Sequence, residues 1–252
     1  MDDAIARHCE ELNRCNQRGG RMLSVVDLLE AGTLDLDLGA LLMAGMARGA
    51  SLMVGARPGG AGKTTVMCAL LNLAASDVEL VAATASAVRH AAGPRRCYVC
   101  HEIGSGPYFA CLWGRDLRSY CALGEQGHIL ATNLHADDLE EARAQVCTEN
   151  RVPAAHFNGF HLQVFLRVTD GWRASRRWIE RVYVSDGVSP HVLVFDAQRG
   201  LDAAGAPDAA RFDGGWVARC RGFLESCRDS GARTIEAVRA QVVRFLEVEG
   251  AG

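Results

Sequence analysis

The apolar positions fall into two regimes along the chain. Between residues 51 and 150, short buried runs alternate with stretches of helical spacing. Ser51-Leu52-Met53-Val54, Val78 to Ala83, Cys97 to His101 and His128 to Leu134 are the runs expected of buried strands. Thr64 to Ala75, Pro107 to Glu125 and Asp137 to Glu149 are predicted as helices, the second because proline suits a first helical turn. This alternation predicts an α/β fold with a mostly parallel central sheet flanked by helices.

Beyond residue 160 the pattern changes. Residues 160–169, 176–184 and 191–196 read as strands joined by turns, which predicts an antiparallel extension of the sheet. Upstream, residues 1–21 are polar and Arg-rich and predict a helix. Ser24 to Glu30 forms a second, ended by Gly32, and Leu38 to Ala47 a third. Residues 85–96 are a small basic connection, and 197–210 form an Ala/Gly/Pro/Asp linker before C-terminal helices over 216–229 and 233–247. The expected division is a helical lead-in over 1–50, a core over 51–196 and a linker with helical tail over 197–252.

Between the first strand and the following helix stands Gly-Ala-Arg-Pro-Gly-Gly-Ala-Gly-Lys-Thr-Thr, residues 55–65. Glycines let backbone N–H groups turn inward around phosphate oxygens, and the helix N-terminus adds its positive dipole end. Pro58, Gly59, Gly60, Ala61, Gly62, Lys63, Thr64 and Thr65 are therefore the candidate nucleotide-binding residues. Lys63 would reach the β- and γ-phosphates, Thr64 would bind Mg²⁺ through its hydroxyl, and Thr65 would touch the α-phosphate. The pattern G-x-x-x-x-G-K-[ST] wants glycine at position 57, where this chain has Arg57.

Composition sharpens one point. Of 27 basic residues only Lys63 is lysine, so the single compact ammonium stands where a phosphate loop requires a point charge rather than a planar fork. The formal charge of −3 argues against a dedicated nucleic-acid binder. The Met1-Asp2-Asp3 start lacks the basic, apolar order of a secretory signal, and Arg48 and glycines interrupt the most apolar stretch, Leu38 to Ala56. A cytoplasmic location with no transmembrane segment is expected. Ten cysteines without an export signal are read as reduced thiols.

Ligands of open parallel sheets sit beyond the carboxyl ends of the strands. Glu102 follows Cys97–His101, while Thr132, Asn133 and His135 close the next strand; these should converge on the phosphates held by Lys63 and Thr64. A carboxylate there can deprotonate the attacking water or hold a water on Mg²⁺, making Glu102 a candidate base and metal ligand. Asn133 or His135 would sense the γ-phosphate. His128 lies seven residues before His135, at the wrong end of the strand.

Two further clusters compete. Cys97-Tyr98-Val99-Cys100-His101 matches the C-x-x-C-H pattern of haem attachment, and the same residues could be offered to zinc. In a strand, however, the two cysteines point to opposite faces, and ordinary strand cysteines explain the sequence better. Trp172, Arg173, Arg176, Arg177 and Trp178 form a basic, aromatic cluster, read as a hairpin face with the alternative of binding nucleic acid or an acidic partner.

Gly55 to Thr65, Glu102-Ile103-Gly104 and Gly127 to Asp137 together resemble the type II/type IV secretion and pilus traffic ATPases, with the two histidines about an apolar strand as a His box. Arg176 to Val184 resembles the strand that follows, so the likeness spans residues 50–196. It implies a RecA-like P-loop NTPase core, ATP and Mg²⁺, Glu102 in the family's Walker B glutamate position, and a ring hexamer driving secretion or pilus machinery. The chain departs from the family in having about 50 residues before the core instead of a separate N-terminal domain, and Thr84 and Ser86 where an acidic box is expected. Arg115 and Arg118 are the candidate charge stabilisers in place of that domain's arginines. A nucleotide-binding regulatory or scaffold protein with little turnover is the alternative.

Overall fold

The short apolar runs of the middle of the chain become parallel strands of one sheet. In the computed structural model, which describes residues 3–16, 19–169, 176–208 and 210–250, the strands are β1 (Leu52–Gly55), β2 (Glu79–Ala82), β3 (Arg96–Ile103), β4 (Cys111–Leu112), β5 (Ile129–Leu134), β6 (Leu162–Val168), β7 (Arg177–Val184), β8 (Val192–Asp196) and β9 (Gly200–Leu201). Their order across the sheet is β2-β3-β5-β1-β6-β7-β8-β9, with β4 paired to the end of β3. All pairings from β2 to β6 are parallel, and those from β6 to β9 are antiparallel. The sheet is thus mostly parallel with the expected antiparallel extension.

Helices cover both faces. On one side lie α1 (Asp3–Arg14), α2 (Val25–Glu30), α3 (Leu36–Ala47), α4 (Lys63–Leu71) and the C-terminal pair α9 (Gly214–Asp229) and α10 (Ile235–Glu249). Leu12, Leu41, Leu70, Trp216 and Val242 share one apolar cluster there with Leu52 and Val164 of the sheet. The opposite face packs Tyr98, Leu130 and Phe165 against α6 (Gly114–Ala122) and α8 (Ala154–Asn158), which contribute Leu117, Tyr120 and Phe157. Burial on both faces is why the central strands read as continuous apolar runs instead of alternating ones. Among the described residues no helix is long and apolar enough to cross a membrane.

Several elements differ from the sequence expectation. Pro107 does not open a helix. Residues Cys111–Leu112 instead pair with the exposed end of β3, Ala110 turns through a positive φ of 51°, and the helix begins only at Gly114. Residues after Arg143 continue α7 (Leu139–Arg143) as a π-helical turn, Ala144–Glu149. The basic connection contains α5 (Ala85–Arg89), capped by the Thr84 hydroxyl accepting from the Ala87 amide. The loop helix stops at Leu71, short of Ala75, because the carbonyls of Asn72, Ala74 and Ala75 bond to the Arg239 guanidinium of α10 at 3.2, 2.6 and 3.1 Å.

The start of β1 is anchored by a half-buried histidine. The Ser51 amide donates to His161 Nδ1 at 3.0 Å, which requires that nitrogen unprotonated. Burial, reinforced by the Arg211 charge, lowers the His161 pKa to about 4. An unfolded histidine titrates near 6.5, so the unfolded chain takes up the proton first. Stability is therefore full above about pH 6.5 and is lost as pH falls toward 4. Urea denaturation across that window should show falling stability, with a shallower slope in His161→Gln; identical slopes would remove His161 as the cause.

Candidate nucleotide site

The glycine-rich stretch folds as a loop from the end of β1 into the N-terminus of α4. At Gly55 a Cβ would lie 2.6 Å from the Ala136 carbonyl and 2.7 Å from the Phe165 ring, so close approach excludes any side chain. Gly62 caps α4 at φ +96°, a left-handed conformation that glycine adopts without strain. Arg57 is not in that region, which removes the physical need for glycine there. Its amide donates to Asp137 Oδ1 at 2.8 Å, and its guanidinium pairs with Glu141, outside the loop.

Side chains from two strand ends and from the start of α4 gather beside the loop. The order of the sheet is responsible: β5 lies between β1 and β3, so its carboxyl end is flanked by the loop on one side and Glu102 on the other. Lys63 is 7% exposed, and its Nζ donates to the Ala56 carbonyl at 2.8 Å and sits 3.4 Å from His135 Nδ1. His135 Nδ1 donates to the Arg57 carbonyl at 2.9 Å, and its Nε2 lies 3.2 Å from Glu102 Oε1. A register shift between Cys100 and Ile103 interrupts the β3–β5 ladder where Glu102 leaves it, the kind of irregularity that re-aims a side chain.

Asn133 points toward α4, where its Nδ2 donates to Thr64 Oγ1 at 3.3 Å and to the His101 carbonyl at 3.1 Å. It is buried behind Thr64, and its Oδ1 has no hydrogen-bond partner. Thr132, one residue earlier, faces away: its hydroxyl bonds to the Asn133 carbonyl and it lies beside Cys100. Gly59, Gly60, Ala61, Gly62, Lys63, Thr64 and Thr65 line a cleft of about 800 Å³ together with Glu102 and His135. Pro58 remains on the exposed outer turn, where its carbonyl accepts from the Ala61 amide.

Other expected residues fall elsewhere. Arg115 and Arg118 do not reach the cleft; both stand on α6, where Arg118 donates to the Asn150 carbonyl at 2.8 Å. His128 is a buried residue at the head of β5, accepting from the Arg96 amide at 3.2 Å. Cys97 and Cys100 enter the apolar clusters of opposite sheet faces, and His101 turns toward Cys15, so the C-x-x-C-H residues do not converge. Trp172 and Arg173 lie outside the described residues. Arg177, expected on a hairpin face, donates from Nε to the Gly60 carbonyl at 3.1 Å, which places a guanidinium on the loop. Only the β6–β7 pairing, which sets β7 beyond β1 and β6, could have revealed that approach.

No family model matches the chain, and no curated protein matches it. Among solved structures, it matches the VirB11 ATPase from the Brucella suis type IV secretion system, solved in complex with sulphate. The chain is similar to a secretion ATPase. Identity is 19%, 71% of this chain is covered and the TM-score is 0.45; the match spans 58% of the other chain's length.

Proposed function

We propose that this chain binds ATP with Mg²⁺ and hydrolyses it, as an ATPase of the secretion and pilus motor kind with a RecA-like core. The observation that carries the reading is the convergence of Lys63, Thr64, Glu102 and His135, from three separate segments, on one cleft. The residues fit a phosphate tail and its metal. A Cβ at Gly59 would meet nothing within 4 Å, so the loop backbone is open to a ligand, and Asn133 Oδ1 is a buried acceptor still without a donor.

In this reading the amides of Gly59 to Thr65 and the Lys63 ammonium bind the β- and γ-phosphates, and Thr65 the α-phosphate. Thr64 and Glu102 would hold Mg²⁺, which when bound offsets the charge of the β- and γ-phosphates. Glu102 orients the attacking water and accepts its proton. His135 holds one Glu102 oxygen in place and reads the γ-phosphate side of the cleft. Asn133 acts through Thr64, fixing the hydroxyl, and is thereby a positioning residue. Arg177 brings a positive charge to the loop from within the same chain. A cytoplasmic location, assembly into a homo-oligomeric ring and secretion or pilus machinery as the partner belong to the same proposal; the net charge of −3 offers nucleic acid no attractive field.

Glu102→Gln tests the chemistry. It retains the shape and the contact to His135 but removes the base, so phosphate release should fall about a hundredfold or more while ATP affinity stays within about threefold. Equal turnover in both proteins would place the base elsewhere. A regulatory module that binds ATP without turnover is the second reading. It is favoured by Thr84, which stands where an acidic residue is expected and whose hydroxyl caps α5. Steady-state phosphate release by the unaltered chain separates the two.

A further inference from the structure

Ten cysteines are distributed along the sequence, and one pair lies against the cleft just described. Cys15, at the end of α1, lines it alongside Lys63, Thr64 and Glu102. Its Sγ sits 3.3 Å from His101 Nε2 and 3.7 Å from the Glu11 carbonyl. The Cys68 Sγ of α4 lies 3.9 Å from the carbonyl of Leu12, the residue that follows Glu11. Cys68 is fully buried and does not line the cleft. His101 is 5% exposed, and its second ring nitrogen, Nδ1, is buried without a partner.

Cys15 and Cys68 share the apolar cluster with Cys97, Cys220 and Cys227, whose thiols act there as small hydrophobes. The Cys15 pair differs in three respects. An imidazole accompanies it, the two sulfurs lie against consecutive carbonyls, those of Glu11 and Leu12, and Cys15, itself 2% exposed, lines the cleft.

We propose that Cys15 is an oxidation site of this chain, reacting with hydroperoxides that enter the cleft, and that Cys68 resolves the product as an intramolecular disulfide. In the first step the Cys15 sulfur attacks one peroxide oxygen and the O–O bond breaks. Sulfur is oxidised to the sulfenic acid, and the departing oxygen leaves with the thiol proton, as water when the oxidant is hydrogen peroxide. In the second step the Cys68 sulfur attacks the sulfenic sulfur. The S–O bond breaks, the S–S bond forms, and the hydroxyl departs with the Cys68 proton as water. Two thiols and one hydrogen peroxide become one disulfide and two waters.

The electrostatics favour this order. Hydrogen bonding from Cys68, with His101 adding to it, lowers the Cys15 thiol pKa against the opposing effect of burial, and the same contact raises that of Cys68. Burial pushes Cys9, Cys97, Cys100 and Cys220 up to about 12 and Cys227 up to about 11. Cys111 and Cys147 are more exposed than Cys15, yet burial raises both. Exposure and thiolate character therefore name different first targets.

The test is peroxide titration of the full chain, alkylation of the remaining thiols, and peptide mapping by mass spectrometry. Cys15 should be oxidised at least about fivefold faster than Cys111 or Cys147, and the product should be a Cys15–Cys68 cross-link. In Cys68→Ser, Cys15 should remain as a sulfenic acid that a dimedone-type reagent traps. Earlier oxidation of Cys111 or Cys147, or absence of the cross-link, would overturn the proposal. The readout is a covalent bond, independent of nucleotide: a chain that cross-links but does not bind ATP keeps this site and loses the ATPase reading, while one that binds ATP without cross-linking does the reverse.

Discussion

Lys63→Ala is expected to lose at least about a hundredfold in affinity for ATP, close to 3 kcal/mol. The Nζ is already at the loop, donating to the Ala56 carbonyl at 2.8 Å, so little side-chain entropy remains to be lost when phosphate arrives. A bound polyphosphate would meet that ammonium in a partly desolvated site, where a charge-assisted hydrogen bond is about twice as strong as a neutral one. Alanine removes both the charge and the donor. Lys63→Arg should not rescue binding, because a planar fork does not replace a compact point charge. Calorimetric titration with ATP and Mg²⁺ measures both variants, with circular dichroism to show that each is folded. Unchanged affinity in Lys63→Ala would remove the proposed site.

The second large effect is on stability. Arg239 is 2% exposed and crosses from α10 to bond the carbonyls of Asn72, Ala74 and Ala75, where α4 ends. A cation at a helix C-terminus is favourable in the dipole field, and here it also satisfies carbonyls that the finished helix leaves open. Burial lowers its pKa to about 10, so it remains charged at neutral pH. Arg239→Met keeps much of the volume but strands those buried carbonyls. We expect a loss of about 3–5 kcal/mol in urea denaturation, since each unsatisfied buried group costs about 1–3 kcal/mol. A loss below about 1 kcal/mol would mean that water replaces the guanidinium. The consequence extends to the candidate site, because the helix held at its C-terminus by Arg239 begins with Lys63 and Thr64.

Local chemistry makes much of the fold readable in the sequence. Three of the four apolar runs from Ser51 to Leu134 became central strands, β1, β3 and β5, because strands covered on both faces must be apolar throughout, while the fourth, β2, lies at the edge of the sheet. The change to helix-free strands after residue 160 marked where the parallel sheet gives way to antiparallel pairing. Residues 107–113 do not join the helix that Pro107 predicts, for an identifiable reason. Pro107 satisfies the local requirements of a helix start, but the free end of β3 offers Cys111 and Leu112 a ladder that propensity cannot register. Likewise, the length of the loop helix was set by Arg239, 168 positions beyond its last residue, Leu71.

The same division runs through the site. The loop from Gly55 to Thr65 was legible because phosphate binding by backbone amides needs glycine freedom, a helix start and one ammonium within a few consecutive residues. The strand-end positions of Glu102, Asn133 and His135 followed from how open parallel sheets present their carboxyl ends. Three things depended on contacts between distant segments: that Arg57 leaves the loop for Glu141, that Arg177 enters it from β7, and that Cys15 meets His101 beside the cleft. Propensity, periodicity and motif spacing act over one or two turns of chain and could specify the elements and the loop. Which side chains face one another is decided by strand order and layer packing, and those are determined only when the whole apolar surface is buried together.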